Sequence, residues 1–457
     1  MRLISVPFPS VKASNRSLSD WYCVMLTCVL LGYVFIGKGF AYQGLPPLFI
    51  GEITLLCGGL IFLLSRAAIA SISTAPAAIL ATMMLWVVIR TVPYIEIYGM
   101  DAPRDSITVL YGAYTFIVIA LIVQNASRID GFLSVYAFAA SLFVVAGPFI
   151  FVFTRFFSDL IPTFSAPSGE PISWWSFRPG QFGVHLSGAG LFALLGLMRV
   201  NYVWGVGFIL TVAMASATSR GAMLAIIVPI TIVGVISGRT RLLVRVAVAG
   251  LVIMSVALIA ETLLTDFREV DTLDSKDRPI SVRQIISGVF SIFDQSGAQL
   301  VQTKEWRLRW WEIIQEHTLN NGPYFWTGKG FGINLADADG FQQPNEDGAP
   351  PLRDPHSVHL TILARAGVPG LVMWLSILGT WTWLLLSTAA RSRREGLARW
   401  GDVLMFLWGY AMAVVIESSF DIGMAGPMMG IPFWCIIGAG IGIAMVYRAT
   451  APRLAPP

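Results

Sequence analysis

Charge is scarce in this chain. Asp, Glu, Lys and Arg make up 13% of its 457 residues, against about a quarter in globular domains, which excludes an ordinary soluble protein. There are four cysteines and four histidines. Cys23, Cys28, Cys57 and Cys435 all fall inside apolar runs. They read as small buried hydrophobes, and neither a disulfide framework nor a zinc site is expected. GKGFG, Gly328–Gly332, has the glycines of a nucleotide loop, but no strand precedes it and no βαβ unit surrounds it, so it reads as a flexible connection. No internal repeat emerges, and no inverted pair of broken helices of the transporter kind. The start, MRLISVPFPSVKASNRSLSD, is polar for too long to be a cleaved signal peptide.

What is present is apolar. Hydrophobic side chains make up 55% of the chain, in runs that recur near the ~20-residue length needed to cross a bilayer. The fold expected is an all-α polytopic membrane protein. Its twelve helices are predicted at 20–37, 48–65, 75–92, 107–124, 132–154, 183–199, 201–218, 221–238, 243–263, 367–388, 401–418 and 426–447. Residues 1–19 form a cytoplasmic tail, 20–263 carry helices one to nine, and 264–357 form an extracytoplasmic loop domain. Residues 358–447 carry helices ten to twelve, and 448–457 form a second cytoplasmic tail.

Orientation follows from basic residues in short loops. With the N-terminus inside, Arg2, Lys12 and Arg16 are cytoplasmic, as are Arg66, Arg128 and Arg199. So are Arg239, Arg241 and Arg245, then Arg391, Arg393, Arg394 and Arg399, and finally Arg448 and Arg453. Every even-numbered connection is then basic, and one missed span would invert everything after it.

The other ionisable groups gather on the outer side, where such residues usually mark a pathway or a site. Lys38 and Arg155 read as interfacial anchors whose side chains snorkel to water. Arg90, Arg104, Arg178 and Arg220 come from different spans and are expected to share a cavity for an anionic ligand. The planar guanidinium fork matches phosphate oxygens and keeps its charge in a partly dry site. Glu417 ends the eleventh span, and all four histidines (His185, His317, His356 and His359) map to the outer side.

Two stretches sharpen this picture. KEWRLRWWEIIQEH, Lys304–His317, puts Trp306, Trp310, Ile313 and Ile314 in one helical stripe. Such a helix would rest at the headgroup level, apolar face down, or pack within the external loop with its arginines solvated. DPHSVHLTILARAGVPG, Asp354–Gly370, holds His356 and His359 where a polar region gives way to an apolar one. A neutral imidazole can accept a proton near physiological pH. Two histidines with one aspartate are too few for a zinc site, and a histidine satisfied by its own surroundings is the default reading of His359.

Taken in order, ATSRGAMLAIIV (Ala217–Val228), the WRLRWW helix, GKGFG and PHSVHLTILARAGVPG resemble the O-antigen ligase and O-antigen polymerase superfamily of bacterial envelope glycosyltransferases. KGFAYQGLPPLFIGE (Lys38–Glu52) and DAPRDS (Asp101–Ser106) look like an O-antigen ligase-like branch of it. The resemblance implies a GT-C-like architecture. It also implies transfer or polymerisation of glycan from a polyprenyl-diphosphate-linked donor to a glycan or lipid-linked acceptor, at the periplasmic face of the inner membrane. Membrane lipids, and other polysaccharide-assembly proteins, are the further partners, and neither nucleic acid, cofactor nor metal is expected. His356, Arg220 and Arg307 correspond to the family's functional residues, with Arg309 the runner-up for the loop arginine. Arg90, Arg104, Arg178, Arg309 and His359 are the expected substrate-binding residues. Two departures stand out: Ser357 where many relatives have Asn, and Arg365 where many have Glu. A flippase or exporter of lipid-linked sugars is the alternative, and it would place charge near the bilayer midplane and on both sides.

Overall fold

The computed structural model describes residues 17–65, 67–165, 171–264, 298–319, 322–342 and 352–454. Much of the expected loop domain, most of the N-terminal tail, Arg66 and the last three residues lie outside them. The helices are α1 (Leu18–Phe35), α2 (Ile50–Leu63), α3 (Ala75–Tyr98), α4 (Asp101–Leu110), α5 (Ala113–Gln124), α6 (Arg128–Phe156) and α7 (Pro179–Leu194). They continue with α8 (Tyr202–Thr218), α9 (Arg220–Ile236), α10 (Thr240–Leu264), α11 (Ala298–Thr318), α12 (Val358–Arg394), α13 (Ala398–Ser418) and α14 (Pro427–Leu454). Two short antiparallel pairs, Gly44–Leu45 with Leu48–Phe49 and Thr163–Ser165 with Pro171–Ser173, are the sheet structure among the described residues.

Helix occurs in each interval where a span is expected, yet seven stretches among the described residues are long and apolar enough to cross a membrane. These are Leu18–Phe35, Ala75–Tyr98, Asp101–Gln124, Arg128–Phe156, Val358–Arg394, Ala398–Ser418 and Pro427–Thr450. Ile50–Leu63, Tyr202–Thr218 and Arg220–Ile236 are apolar but shorter. At 1.5 Å per residue they reach roughly 21–26 Å, against a hydrocarbon core of about 30 Å.

Helices α5, α13 and α14 form the centre of the bundle, most of their side chains buried among others, while α1, α3 and α6 lie at its edge. Leu63, Leu85, Phe138, Phe149 and Trp383 stand exposed on the outer faces. In a spanning bundle such faces need no protein cover, because lipid is as apolar as they are. Cys28 and Cys57 are exposed too. This corrects the expectation of buried thiols: apolar runs mark a span without saying which of its faces looks inward.

The two ends of the bundle differ. At one end Arg128 pairs with Asp20 at 2.7 Å, Arg399 with Asp130 at 2.7 Å and Arg393 with Asp402 at 2.9 Å. Arg393 also donates to Ser237 at 3.1 Å. These residues join the starts of α1, α6 and α13 to the ends of α9 and α12. The starts of α9 and α12 and the end of α13 therefore lie at the other end, where Arg220, His356 and Glu417 are found.

Helix α12 is broken at Gly367 (φ 71°, ψ −172°), and Pro369 follows. Proline has no N–H to give to the carbonyl four residues back, so the break leaves several carbonyls without helical partners. The GKGFG loop supplies them: Lys329 N–H donates to Ala364 O at 2.7 Å and Gly330 N–H to Arg365 O at 3.0 Å. Trp86 Nε1 donates to Ala366 O at 3.0 Å, and Val368 N–H turns to Phe325 O at 2.8 Å. The loop is a clamp rather than the flexible connection expected. Gly328 has φ +61°, and a Cβ there would stand 2.3 Å from the Arg365 carbonyl carbon.

Candidate active site

The segments 298–319 and 322–342 dock onto α12 through a small core that they share with it. Trp310 and Ile314 of α11 are fully buried against Leu335, Leu363 and Ala364, with Trp306 packed alongside. The apolar stripe is thus covered by protein, and the headgroup-level placement gives way to packing within the loop segment. Beneath it Asp339, with no exposed side-chain surface, binds Trp310 Nε1 at 2.9 Å, His317 Nδ1 at 3.0 Å and Lys329 Nζ. Both Lys329 and His317 are therefore parts of this fold's scaffold.

Packing the stripe inward leaves Arg309 exposed and Arg307 half-buried. Arg307 Nη1 donates to Phe420 O at 2.8 Å, and its Nε is buried with no partner. Burial pulls this guanidinium below its ordinary pKa, and the Asp421 carboxylate pushes it back up.

Asp421 is the hub. It lies just beyond α13. Arg178 Nη1, at the start of α7, donates to its Oδ1 at 3.1 Å. His356 Nδ1 is 3.7 Å from the same oxygen, longer than a hydrogen bond, and that buried nitrogen has no other partner. Burial alone would raise the Asp421 carboxyl, but His356, Arg178 and the Ile422 amide outweigh it and hold it below the usual range. One turn back, Glu417 is 1% exposed and its Oε1 has no partner. Glycines make room for it: a Cβ at Gly180 would lie 2.3 Å from Oε1, and one at Gly423 would lie 2.6 Å from Oε2.

Arg220 opens α9, behind the N-cap Ser219, whose Oγ accepts from Ala222 N–H at 3.2 Å. The same first turn packs on α7, where a Cβ at Gly183 would meet Ala222 Cβ at 2.7 Å. Arg220 and Arg178 thus start neighbouring helices. His356 precedes the N-cap Ser357 of α12 and, among the described residues, is the non-glycine residue with positive φ, +54°. A Cβ makes this region unfavourable, so its neighbours must hold it there. Trp311 Nε1 binds Pro355 O at 2.8 Å, and the Trp306 ring lies 6.4 Å from the imidazole.

The expected shared cavity of arginines divides. Arg90 leaves it to strap the clamp loop, donating from Nε to Thr327 O at 2.9 Å and from Nη2 to Tyr94 OH at 3.3 Å. Arg104 is 53% exposed and pairs with Asp101 at 3.0 Å and Asp105 at 3.4 Å. His359 points inward. Trp374 Nε1 donates to its Nδ1 at 3.0 Å, and its Nε2 meets Ser419 Oγ at 3.1 Å, so both nitrogens are satisfied inside the protein and neither is open to a substrate. Sequence reasoning missed Asp421 altogether. Its signal is faint: two acids, Glu417 and Asp421, one helical turn apart at the polar end of an apolar run.

Residues 205–375 match the family model for O-antigen ligase. Over this segment the chain is similar to the O-antigen ligase and polymerase superfamily. The match spans α8 to the middle of α12, so Arg220, Arg307 and His356 lie within it, while Arg178, Glu417 and Asp421 lie outside. Among curated proteins none matches the chain. The family implies glycan transfer of the ligase or polymerase type by a multi-pass membrane protein.

Proposed function

We propose that this protein is an inner-membrane glycosyltransferase with both termini in the cytoplasm and twelve spans, helices α2, α7, α8, α9 and α10 joining the seven longer stretches. It transfers or polymerises glycan from a polyprenyl-diphosphate-linked donor onto an acceptor hydroxyl at the periplasmic face. The observation that carries this reading is the meeting of Arg178, Arg307 and His356 around Asp421, at the end of the bundle away from the basic connections. In this reading residues 264–357 lie outside, as the basic connections on the other side suggest.

In this mechanism His356 takes the proton of the acceptor hydroxyl, whose oxygen attacks the anomeric carbon. The bond from that carbon to the diphosphate breaks, and polyprenyl diphosphate leaves with the electron pair. Arg220 and Arg307 hold the diphosphate and stabilise the charge it gains. A single preorganised donor of this kind is worth about 10²–10³ in rate, and general-base assistance about 10²–10⁴. Asp421 faces the imidazolium that forms, and Arg178 fixes Asp421. Arginine forks fill the role a divalent cation plays elsewhere, so a chelator should leave the rate unchanged.

The test is transfer by purified protein in detergent, with lipid-linked donor and acceptor supplied. His356→Ala and Arg220→Ala should abolish product at normal protein level in the membrane. Arg220→Lys should also be poor, since a point charge replaces a fork. Near-normal product from His356→Ala removes the general base, and labelling that puts the segment around Trp306 in the cytosol removes the site. In a deletion strain, single repeat units left on lipid identify a polymerase, and long chains left on the carrier identify a ligase.

A further inference from the structure

A second cluster of charges lies behind His356. Arg365, on α12 just before the Gly367 break, is 1% exposed. Its guanidinium binds three segments at once: Asp105 Oδ2 of α4 at 3.0 Å, Ile333 O of the clamp loop at 3.1 Å and Asp354 Oδ1 at 3.1 Å. Arg353 supports the same assembly through Asp101 at 3.2 Å, Asp105 at 3.1 Å and Gly332 O at 3.0 Å. A buried guanidinium with partners on several sides holds them in a fixed geometry.

Asp354 stands two residues before His356, whose backbone occupies the left-handed region. Three anchors bracket that residue: Arg365 on Asp354, Trp311 on Pro355 O, and the Ser357 carbonyl, which accepts from Thr361 N–H at 2.8 Å. The imidazole makes no hydrogen bond of its own at Nδ1. Its direction is therefore set by the backbone beneath it together with the Asp421 carboxylate and the Trp306 ring that face it.

We infer that Arg365 is a positioning residue: by gripping Asp354 against Asp105 it holds His356 in its left-handed conformation and aims the imidazole at the acceptor hydroxyl. The inference rests on His356 being the base. It assigns DAPRDS a purpose other than substrate binding, because Asp105 is the counter-charge that keeps Arg365 in place.

The experiment compares Asp354→Asn, Arg365→Gln and the double variant with wild type and His356→Ala, in transfer by the purified protein across a range of pH. Asp354→Asn is the informative single change, because it leaves the Arg365–Asp105 pair intact and keeps an acceptor oxygen. It should lower kcat about 10- to 100-fold, as expected when a reacting group is displaced by about an ångström, with KM for the donor within about twofold. The inflection of kcat against pH that depends on His356 should flatten, which a smaller folded fraction would not cause. The double variant should be no slower than Arg365→Gln alone. Wild-type kcat and pH profile in Asp354→Asn, or an effect on KM alone, overturn the inference while an inactive His356→Ala leaves the site standing. An active His356→Ala overturns the site itself.

Discussion

In the proposed mechanism the docking of α11 favours Arg307 over Arg309 as the loop arginine that grips the donor, and a substitution series tests it. Arg307 commits Nη1 to Phe420 O at 2.8 Å and buries Nε without a partner. A buried N–H left unsatisfied costs about 1–3 kcal/mol, which a donor phosphate oxygen would recover on binding. At about 1.4 kcal/mol per factor of ten, losing that one contact is worth roughly 5- to 150-fold. Arg307→Lys keeps the charge but has no Nε, so its transfer rate should fall within that range. Arg307→Ala also removes the cation proposed to hold the leaving diphosphate and should fall about 10²–10³-fold. Arg309 is exposed on the opposite side of the stripe, and Arg309→Ala should stay within about twofold, as surface changes do.

The assay is the initial rate of product formation by purified variants with saturating acceptor and a titration of lipid-linked donor. A loss in Arg309→Ala as large as that in Arg307→Ala would refute the argument, since it would mean that α11 turns its other face to the substrate. Full activity in Arg307→Lys would refute the narrower point, that the geometry of the fork matters beyond its charge.

Three further outcomes follow from the scaffold. Gly328→Ala places a Cβ against the Arg365 backbone at positive φ, a conformation that costs about 1–2 kcal/mol before any clash. It should lower the unfolding temperature in detergent, and an unchanged temperature would mean that the clamp is not formed. Asp339→Ala strands Lys329, which is 6% exposed, and should destabilise by about 3–5 kcal/mol; adding Lys329→Met should restore part of it, and no restoration would deny the pairing. Asp421 has its folded pKa held down, so its contribution to stability is present above the ordinary aspartate value of ~3.9 and lost as pH falls through the lower folded value. The stability gap between wild type and Asp421→Asn should therefore narrow as pH drops from about 5 towards 3, and a constant gap would contradict the shift.

Depth along the bundle was legible in the sequence, and direction around it was not. Hydropathy locates a residue along the membrane normal, because lipid and water differ as solvents. Arg90, Arg104, Arg178 and Arg220 could accordingly be given a common side from composition alone. Whether they face one another depends on how helices rotate about their own axes, which the packing of neighbours decides. Arg178 turned to Asp421, Arg90 to Thr327 O and Arg104 to Asp101. The same limit hid Asp421, which meets His356 across 65 positions of sequence. It also hid α4, because DAPRDS is too polar to register as part of a span although it forms the first turns of Asp101–Gln124.

Arg365 shows where the missing direction could have been sought. An arginine one turn inside an apolar run cannot be buried without acids beside it, so its presence alone required counter-charges at the same depth. Asp105 and Asp354 were the acids at that depth on neighbouring segments, and both are its partners at 3.0 and 3.1 Å. Counter-charge at matched depth therefore restrains helix rotation in a way that hydropathy cannot. The same reasoning applied to Arg178 asks for an acid at the outer end of some span, and ESSFDIG, Glu417–Gly423, supplies it. A chain this poor in charge offers few such choices, and this scarcity makes each pairing informative.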